Sequence, residues 1–95
     1  MRLIPLLLLV LLQTRKPQVR EVKATGCVLR SVQTGCLLLR TLDGNTVYNI
    51  YAEPKPLVRT VITIEARPHQ GPNDCRQGIP VDVTKWESTG EQCVP

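Results

Sequence analysis

Four cysteines in a chain of 95 residues constrain the possible fold more than any other feature of this sequence. They are Cys27, Cys36, Cys75 and Cys93, and all of them follow an apolar N-terminal stretch. A domain of about 70 residues buries only about 60% of the surface of its unfolded chain, so its hydrophobic core alone gives little stability. An even number of cysteines in so small a domain indicates a framework of two disulfides.

Four cysteines allow three pairings, and strand geometry disfavours one of them. If a hairpin turn directly precedes Cys36, that residue faces Ser31, and Cys27 is then about four residues, or roughly 13 Å, further along the strand. A disulfide requires Cα atoms within about 7 Å, which disfavours the pair Cys27–Cys36. Of the two remaining pairings we favour the nested one. In it, Cys36–Cys75 would join two hairpin loops, and Cys27–Cys93 would hold the tail that follows the last strand.

The N-terminal segment has the composition of a secretory signal. Arg2 provides a positive charge, and residues 3–12 form an apolar run. A run of about ten residues suits the hydrophobic region of a signal peptide and falls short of the roughly 20 residues that span a bilayer. Cleavage after residues 22–24 and cleavage near Thr14 are both open, and a buried N-terminal strand or helix is the competing interpretation.

We therefore predict a signal peptide and polar linker over residues 1–24, followed by one domain over residues 25–95. Such a protein would be periplasmic or secreted, and an uncleaved leader would instead tether it to the membrane. The formal net charge of +4 belongs to the leader and linker, because residues 25–95 contain seven basic and seven acidic side chains. The neutral domain gives no support to a nucleic-acid groove, which needs positive charge.

Five strand-like runs follow the linker, separated by turn residues. The clearest is the fourth, in which Thr60, Ile62, Ile64 and Ala66 alternate with polar residues, with Val61 as the exception. This pattern is typical of a half-buried strand. Gly26 interrupts the first run, where we expect a bulge or a sharp bend. The runs cover residues 22–32, 36–42, 46–52, 58–67 and 79–86.

Five short strands in about 65 residues favour a small barrel over a flat sheet, because closure removes exposed strand edges. Three strands in succession, a connection and then a hairpin is the order of an OB-fold. The connection between the third and fourth strands contains Pro54 and Pro56 and leaves no room for the helix often found there. The predicted fold class is thus all-β, a five-stranded OB-like barrel with two disulfides.

Several short motifs carry a family resemblance. The first two strands open with TGCV (25–28) and GCLLL (35–39), and Asp43-Gly44 precedes Tyr48. The later motifs are VITIEA (61–66) and CRQGIPVDV (75–83). With these motifs, residues 25–88 resemble exported bacterial OB-fold-like domains of unknown function. The resemblance implies the OB-like fold, and none of its motifs is catalytic.

No constellation of catalytic or metal-binding residues is evident. His69 is the sole histidine and has no nucleophile motif beside it, so a solvated loop residue is the default interpretation. The cysteines lack the close pairs, such as C-x2-C, that zinc sites and redox-active thiols use. We predict that the protein is not an enzyme and that it uses no metal or cofactor.

We predict a non-catalytic binding module whose partner is an envelope or extracellular protein, contacted by strands two and three and the loops beside them. The alternative is an OB domain for oligosaccharide or single-stranded nucleic acid, in which Arg40 joins Tyr48 on a thin stacking platform. Tyr51 would face the other way. Another small ligand is possible, and nucleic acid is disfavoured. The candidate binding residues are Gln33, Arg40, Tyr48, His69 and Arg76, and the loops add Thr34, Gln70 and Asn73.

Overall fold

The computed structural model of the chain describes residues 20–94, and most of the predicted leader and linker lies outside them. Within the described residues the chain forms five strands and no helix, as the apolar–polar alternation predicts. None of these residues belongs to a helix long and apolar enough to cross a membrane. The strands are β1 (Val22–Arg30), β2 (Leu37–Thr41), β3 (Val47–Tyr51), β4 (Thr60–Pro68) and β5 (Ile79–Gln92).

The five strands close into one barrel in the order β1-β2-β3-β5-β4. β3 and β5 are parallel, and the other neighbouring strands are antiparallel. Each strand therefore has a neighbour on both sides over part of its length, which is how a barrel avoids long exposed edges. The predicted small barrel is confirmed.

The last strand is longer than the sequence analysis predicted. That prediction ended the strand at Trp86, because residues 87–92 show no apolar alternation, whereas β5 continues to Gln92. Pairing with β4 persists over this stretch, with an irregularity in register, until Gln92 lies opposite Thr60. A ladder is made by backbone groups, so a polar segment beside a strand can join it without an apolar pattern of its own.

Gly26 lies where β1 passes from one neighbour to the other, opposite both Thr41 of β2 and Ile62 of β4. The pairing register continues through this position, so the glycine does not mark the bulge considered above. A Cβ atom at Gly26 would lie 2.3 Å from the carbonyl oxygen of Arg40. The close approach of the β2 backbone therefore explains why this residue has no side chain.

The core lies inside the barrel and draws on every strand. The predicted inner face of β4 is confirmed, because Ile62, Ile64 and Ala66 are fully buried. Val61, the exception in that pattern, is buried on the opposite face, where it pairs with Cys27. The buried cluster consists of Val28, Leu39, Ile50, Ile62, Ile64, Ala66 and Val81.

Residues 52–59 cross one end of the barrel, in the place where the sequence left no room for a helix. Pro56 is buried there, and Val58 packs against the core. Trp86 also packs against the core, and its indole nitrogen donates a hydrogen bond to the carbonyl oxygen of Pro54 at 2.8 Å. This short connection and the indole ring together cover the barrel end.

The two disulfides have the nested pairing that the sequence analysis favoured. Cys27 is bonded to Cys93, with Cα atoms 6.0 Å apart, and Cys36 to Cys75, with Cα atoms 6.1 Å apart. The first holds the end of the described chain against β1. The second connects two loops, and the candidate site is built around it.

Candidate binding surface

Two loops on the outside of the barrel are linked to each other. One connects β1 to β2 (residues 31–36) and the other connects β4 to β5 (residues 69–78); we call them the joined loops. The disulfide Cys36–Cys75 is the covalent link between them. Loops are usually the most mobile and variable parts of a domain, so a cross-link between two of them creates an ordered surface from segments that otherwise move independently.

The side-chain amide of Gln33 reinforces this link on both sides of Cys75. Its Nε2 donates to the carbonyl oxygen of Asp74 at 2.9 Å, and its Oε1 accepts from the backbone nitrogen of Arg76 at 2.6 Å. The amide group of Gln33 thus makes the hydrogen bonds to residues 74–76 that the backbone of a neighbouring strand would make in a sheet. The arrangement brings two predicted binding residues, Gln33 and Arg76, together.

Gln77 makes a reciprocal contact from the second loop to the first. Its Oε1 accepts hydrogen bonds from the hydroxyl of Ser31 at 2.6 Å and from the backbone nitrogen of Val32 at 3.2 Å. Ser31 is buried, and its hydroxyl also accepts from the backbone nitrogen of Gln33 at 3.1 Å. Each loop therefore supplies a glutamine that satisfies backbone groups of the other.

A buried amide fastens the second loop to the barrel wall. Asn49 in β3 is 1% exposed, and its Nδ2 donates to Oδ1 of Asn73 at 3.2 Å and to the carbonyl oxygen of Cys75 at 3.3 Å. Oδ1 of Asn73 also accepts from the hydroxyl of Tyr51 at 2.8 Å and from the backbone nitrogen of Cys75 at 3.2 Å. The loop therefore lies over the outer face of β3.

His69 holds the beginning of the same loop. Its ring stacks on that of Tyr51, with centroids 4.3 Å apart. Its Nδ1 lies 2.7 Å from Oδ1 of Asp82, and its Nε2 lies 2.9 Å from the carbonyl oxygen of Pro72. Both partners are hydrogen-bond acceptors, so both contacts are satisfied together only when each ring nitrogen carries a hydrogen, which is the imidazolium form.

The surroundings of His69 favour that form. The hydrogen bond to Asp82, followed by the one to the Pro72 carbonyl, raises the pKa of His69 above its ordinary value of 6.5. Within residues 20–94, His69–Asp82 is also the single ion pair. Because both nitrogens are occupied within the protein, neither is free to take a proton from a substrate.

Two of the predicted binding residues are not brought together. Tyr48 pairs with Leu39 and packs against the core, whereas Arg40 pairs with Val47 on the outer face. Successive residues of a strand point to opposite faces, so the alternation that places Leu39 inside puts Arg40 outside. The stacking platform of Arg40 with Tyr48 is therefore wrong as a geometric prediction.

The structure also adds residues that the sequence analysis did not select. Asn49 is a polar residue between apolar neighbours in β3, a position that signals a buried side chain with a specific partner. Gln77 and Asp82 carry no comparable signal, because their partners are 46 and 13 residues away in the chain. Such contacts become visible only after the loops are placed.

The joined loops present a mixed surface to solvent. Thr34, Gln70 and Arg76 are exposed, and two aliphatic side chains stand out: Val32, which is 87% exposed, and Ile79 at the end of the second loop, which is 53% exposed. Within residues 20–94 no group of three or more His, Cys, Asp or Glu side chains could hold a metal ion.

Comparison of the chain with protein-family models gives no match. Comparisons with curated proteins and with solved structures give no significant match either.

Proposed function

We propose that this protein is a non-catalytic, exported binding module with an OB-like barrel, and that it binds an envelope or extracellular protein through the joined loops. The observation that carries the proposal is the double link between the loops, made by the disulfide Cys36–Cys75 and by the amide of Gln33. A surface that is ordered before binding loses less conformational entropy when a partner docks.

The OB-like assignment rests on topology. In the barrel order β1-β2-β3-β5-β4 the first three strands are neighbours in succession, and β4 and β5 are an antiparallel pair, which supports the order of three strands, a connection and a hairpin that the sequence analysis expected. OB-folds bind ligands on the face of strands two and three and with the loops after strands one and four. The joined loops are those two loops, which supports placing the contact there by analogy of fold.

The chemical character of the surface favours a protein partner. Exposed aliphatic side chains, here Val32 and Ile79, beside hydrogen-bonding groups are what a protein interface presents. Single-stranded nucleic acid stacks its bases on free aromatic faces. Tyr48 packs against the core, and one face of Tyr51 is covered by His69, which argues against that alternative.

The disulfides are consistent with an oxidising, extracytoplasmic environment. We place the protein in the periplasm or outside the cell on this ground and on the signal-like leader. Val22 to Thr25 pair with β4, so cleavage after residue 24 would remove part of β1. Of the two cleavage positions open from the sequence, the one near Thr14 is therefore the better supported.

Site-specific photo-crosslinking in the native type of host tests the proposed function. A photoreactive residue replaces Thr34 in one variant and Gln70 in another, so that each joined loop is represented. Lys85, which is exposed on β5, is the matched control position. We expect both loop positions to capture the same protein and the control to capture none of it. Equal capture from all three positions, or no capture from either loop, would contradict the proposal.

A further inference from the structure

Arg59 has a backbone conformation that is unusual for its residue type. Its φ is 69°, and no other non-glycine residue among those described has a positive φ. Its backbone is fixed by two hydrogen bonds, from its nitrogen to the carbonyl oxygen of Val28 at 2.7 Å and from the nitrogen of Cys93 to its carbonyl oxygen at 2.9 Å. Glycine or asparagine adopts this conformation at lower cost, so the backbone alone does not explain an arginine here. Strained residues of this kind concentrate at ligand sites.

Arg59 borders a cavity beside the end of β1. The cavity has a volume of about 590 Å³, and its lining combines three apolar residues, Val28, Leu29 and Val58, with two arginines, Arg30 and Arg59. Its size is in the range of small-molecule sites. A second cavity of about 310 Å³ also has Arg30 in its lining, together with Lys55. Two cations, Arg30 and Arg59, thus border the larger cavity, and Lys55 borders the smaller one.

These cations form no ion pair with a carboxylate of the described residues. The one ion pair in the part of the chain that the structure describes is His69–Asp82, so Arg30, Lys55 and Arg59 form none with residues 20–94. Arg30 and Arg59 are both exposed and border the same cavity, so two positive charges lie at this place. An oxyanion would supply the missing charge and match the planar donor geometry of guanidinium groups.

We propose that this end of the barrel binds an anionic amphiphile, a carboxylate or phosphate ester on an apolar chain. The oxyanion would contact Arg59 and Arg30, and the apolar chain would lie on Leu29 and Val58, which are both half-buried. The site uses residues outside the joined loops, so it is a function in addition to the protein contact proposed above. A fatty acid and an alkyl phosphate share this chemistry, and the experiment distinguishes them.

Heteronuclear NMR titration of the oxidised, processed protein tests the proposal. Decanoate and decyl phosphate, below their micelle concentrations, are the probes for the two headgroups. Decyltrimethylammonium has the same apolar chain with a positive charge, and acetate has a carboxylate without the chain. We expect saturable shifts at the amides of Leu29, Arg30, Val58 and Arg59 with at least one of the two anionic probes. Much smaller shifts are expected with both controls.

Two substitutions separate binding from folding. Asparagine tolerates a positive φ, so Arg59→Asn should leave the midpoint of thermal unfolding unchanged or higher. The same substitution should weaken the binding of the anionic probe by a factor on the order of ten or more. Arg67→Asn, at the other end of β4, is the matched control and should bind as the wild type does. The proposal is overturned if neither anionic probe binds, if the cationic amphiphile binds as well as they do, or if Arg59→Asn retains full affinity.

Discussion

The imidazole of His69 lies against the phenol ring of Tyr51, with the ring centroids 4.3 Å apart and the planes inclined by 16°. Two acceptors, Asp82 and the carbonyl of Pro72, take the two ring nitrogens. The stack and the hydrogen bonds attach the start of the second joined loop to β3 and β5. A titratable residue therefore holds the loop on which the proposed protein contact depends.

This arrangement predicts a pH dependence of stability. Because the folded state raises the pKa of His69 above 6.5, the stabilisation is complete below the unfolded pKa and is lost as pH rises through the folded one. The free energy of unfolding in urea should therefore decline, relative to His69→Gln, as pH increases above about 6.5. The variant keeps a neutral donor and does not titrate. If the free energies of unfolding of the wild type and of His69→Gln changed with pH in parallel, the contacts of the His69 ring would not stabilise the protein as described.

The disulfide between the joined loops should be a large single contribution to stability. For a separation of 39 residues, the chain-entropy model gives about 4 kcal/mol at 25 °C. We expect the double variant Cys36→Ser/Cys75→Ser to lose up to about that amount in denaturant unfolding. Amide exchange should accelerate first in residues 31–36 and 69–78. Uniform acceleration throughout the barrel would mean that the link does not act locally.

The side chain of Gln33 should matter more than its position on a surface loop suggests. Gln33→Ala removes hydrogen bonds to the backbone on both sides of Cys75 and should reduce the free energy of unfolding by about 1–2 kcal/mol. Gln70→Ala is the matched control, because Gln70 is exposed and its side chain makes no hydrogen bond within residues 20–94. Denaturant titration of both variants measures the difference, and equal losses would contradict the role given to Gln33.

Asn49 provides a test in which charge, not size, is changed. Its Nδ2 faces two oxygen acceptors, on Asn73 and Cys75. In Asn49→Asp a carboxylate would face those oxygens without a hydrogen to donate, so this variant should be less stable at pH 7 than Asn49→Ala, which loses about 1–3 kcal/mol. Lowering the pH should reduce the difference in stability between the two variants, because the aspartate becomes protonated. Equal stability of the two variants at pH 7 would indicate that the amide does not donate.

Gly26 tests the close approach of β1 and β2. A methyl group there would meet the carbonyl oxygen of Arg40 at 2.3 Å, and the backbone must move to avoid it. Gly26→Ala should therefore lose about 1–3 kcal/mol in thermal or urea unfolding. Gly71→Ala, where a Cβ would meet nothing within 4 Å, tests backbone strain alone, because its φ is +96°. A smaller loss for Gly26→Ala than for Gly71→Ala would contradict the steric explanation.

Much of the fold follows from the sequence because its signals are local. The alternation in β4 predicts which side chains face the core, and the turn residues separate five strands. The end of β5 could not be predicted, because residues 87–92 have no apolar period and join the ladder only through the backbone of β4. The spacing of Cys27 and Cys36 disfavours a disulfide between them, since strand geometry sets their distance when a hairpin turn precedes Cys36.

The sequence by itself determined an all-β domain, the positions of its five strands apart from the end of β5, and a preference for the nested disulfides. These depend on side-chain alternation, turn chemistry and the distance between cysteines, all of which act over a few residues. Only the tertiary structure decided that Gln33 and Gln77 hold each other's loops, and that Arg40 and Tyr48 face opposite ways. It alone also brought His69 onto Tyr51. Hydrogen bonds between residues tens of positions apart depend on how the barrel closes, and no local pattern in the chain records that geometry.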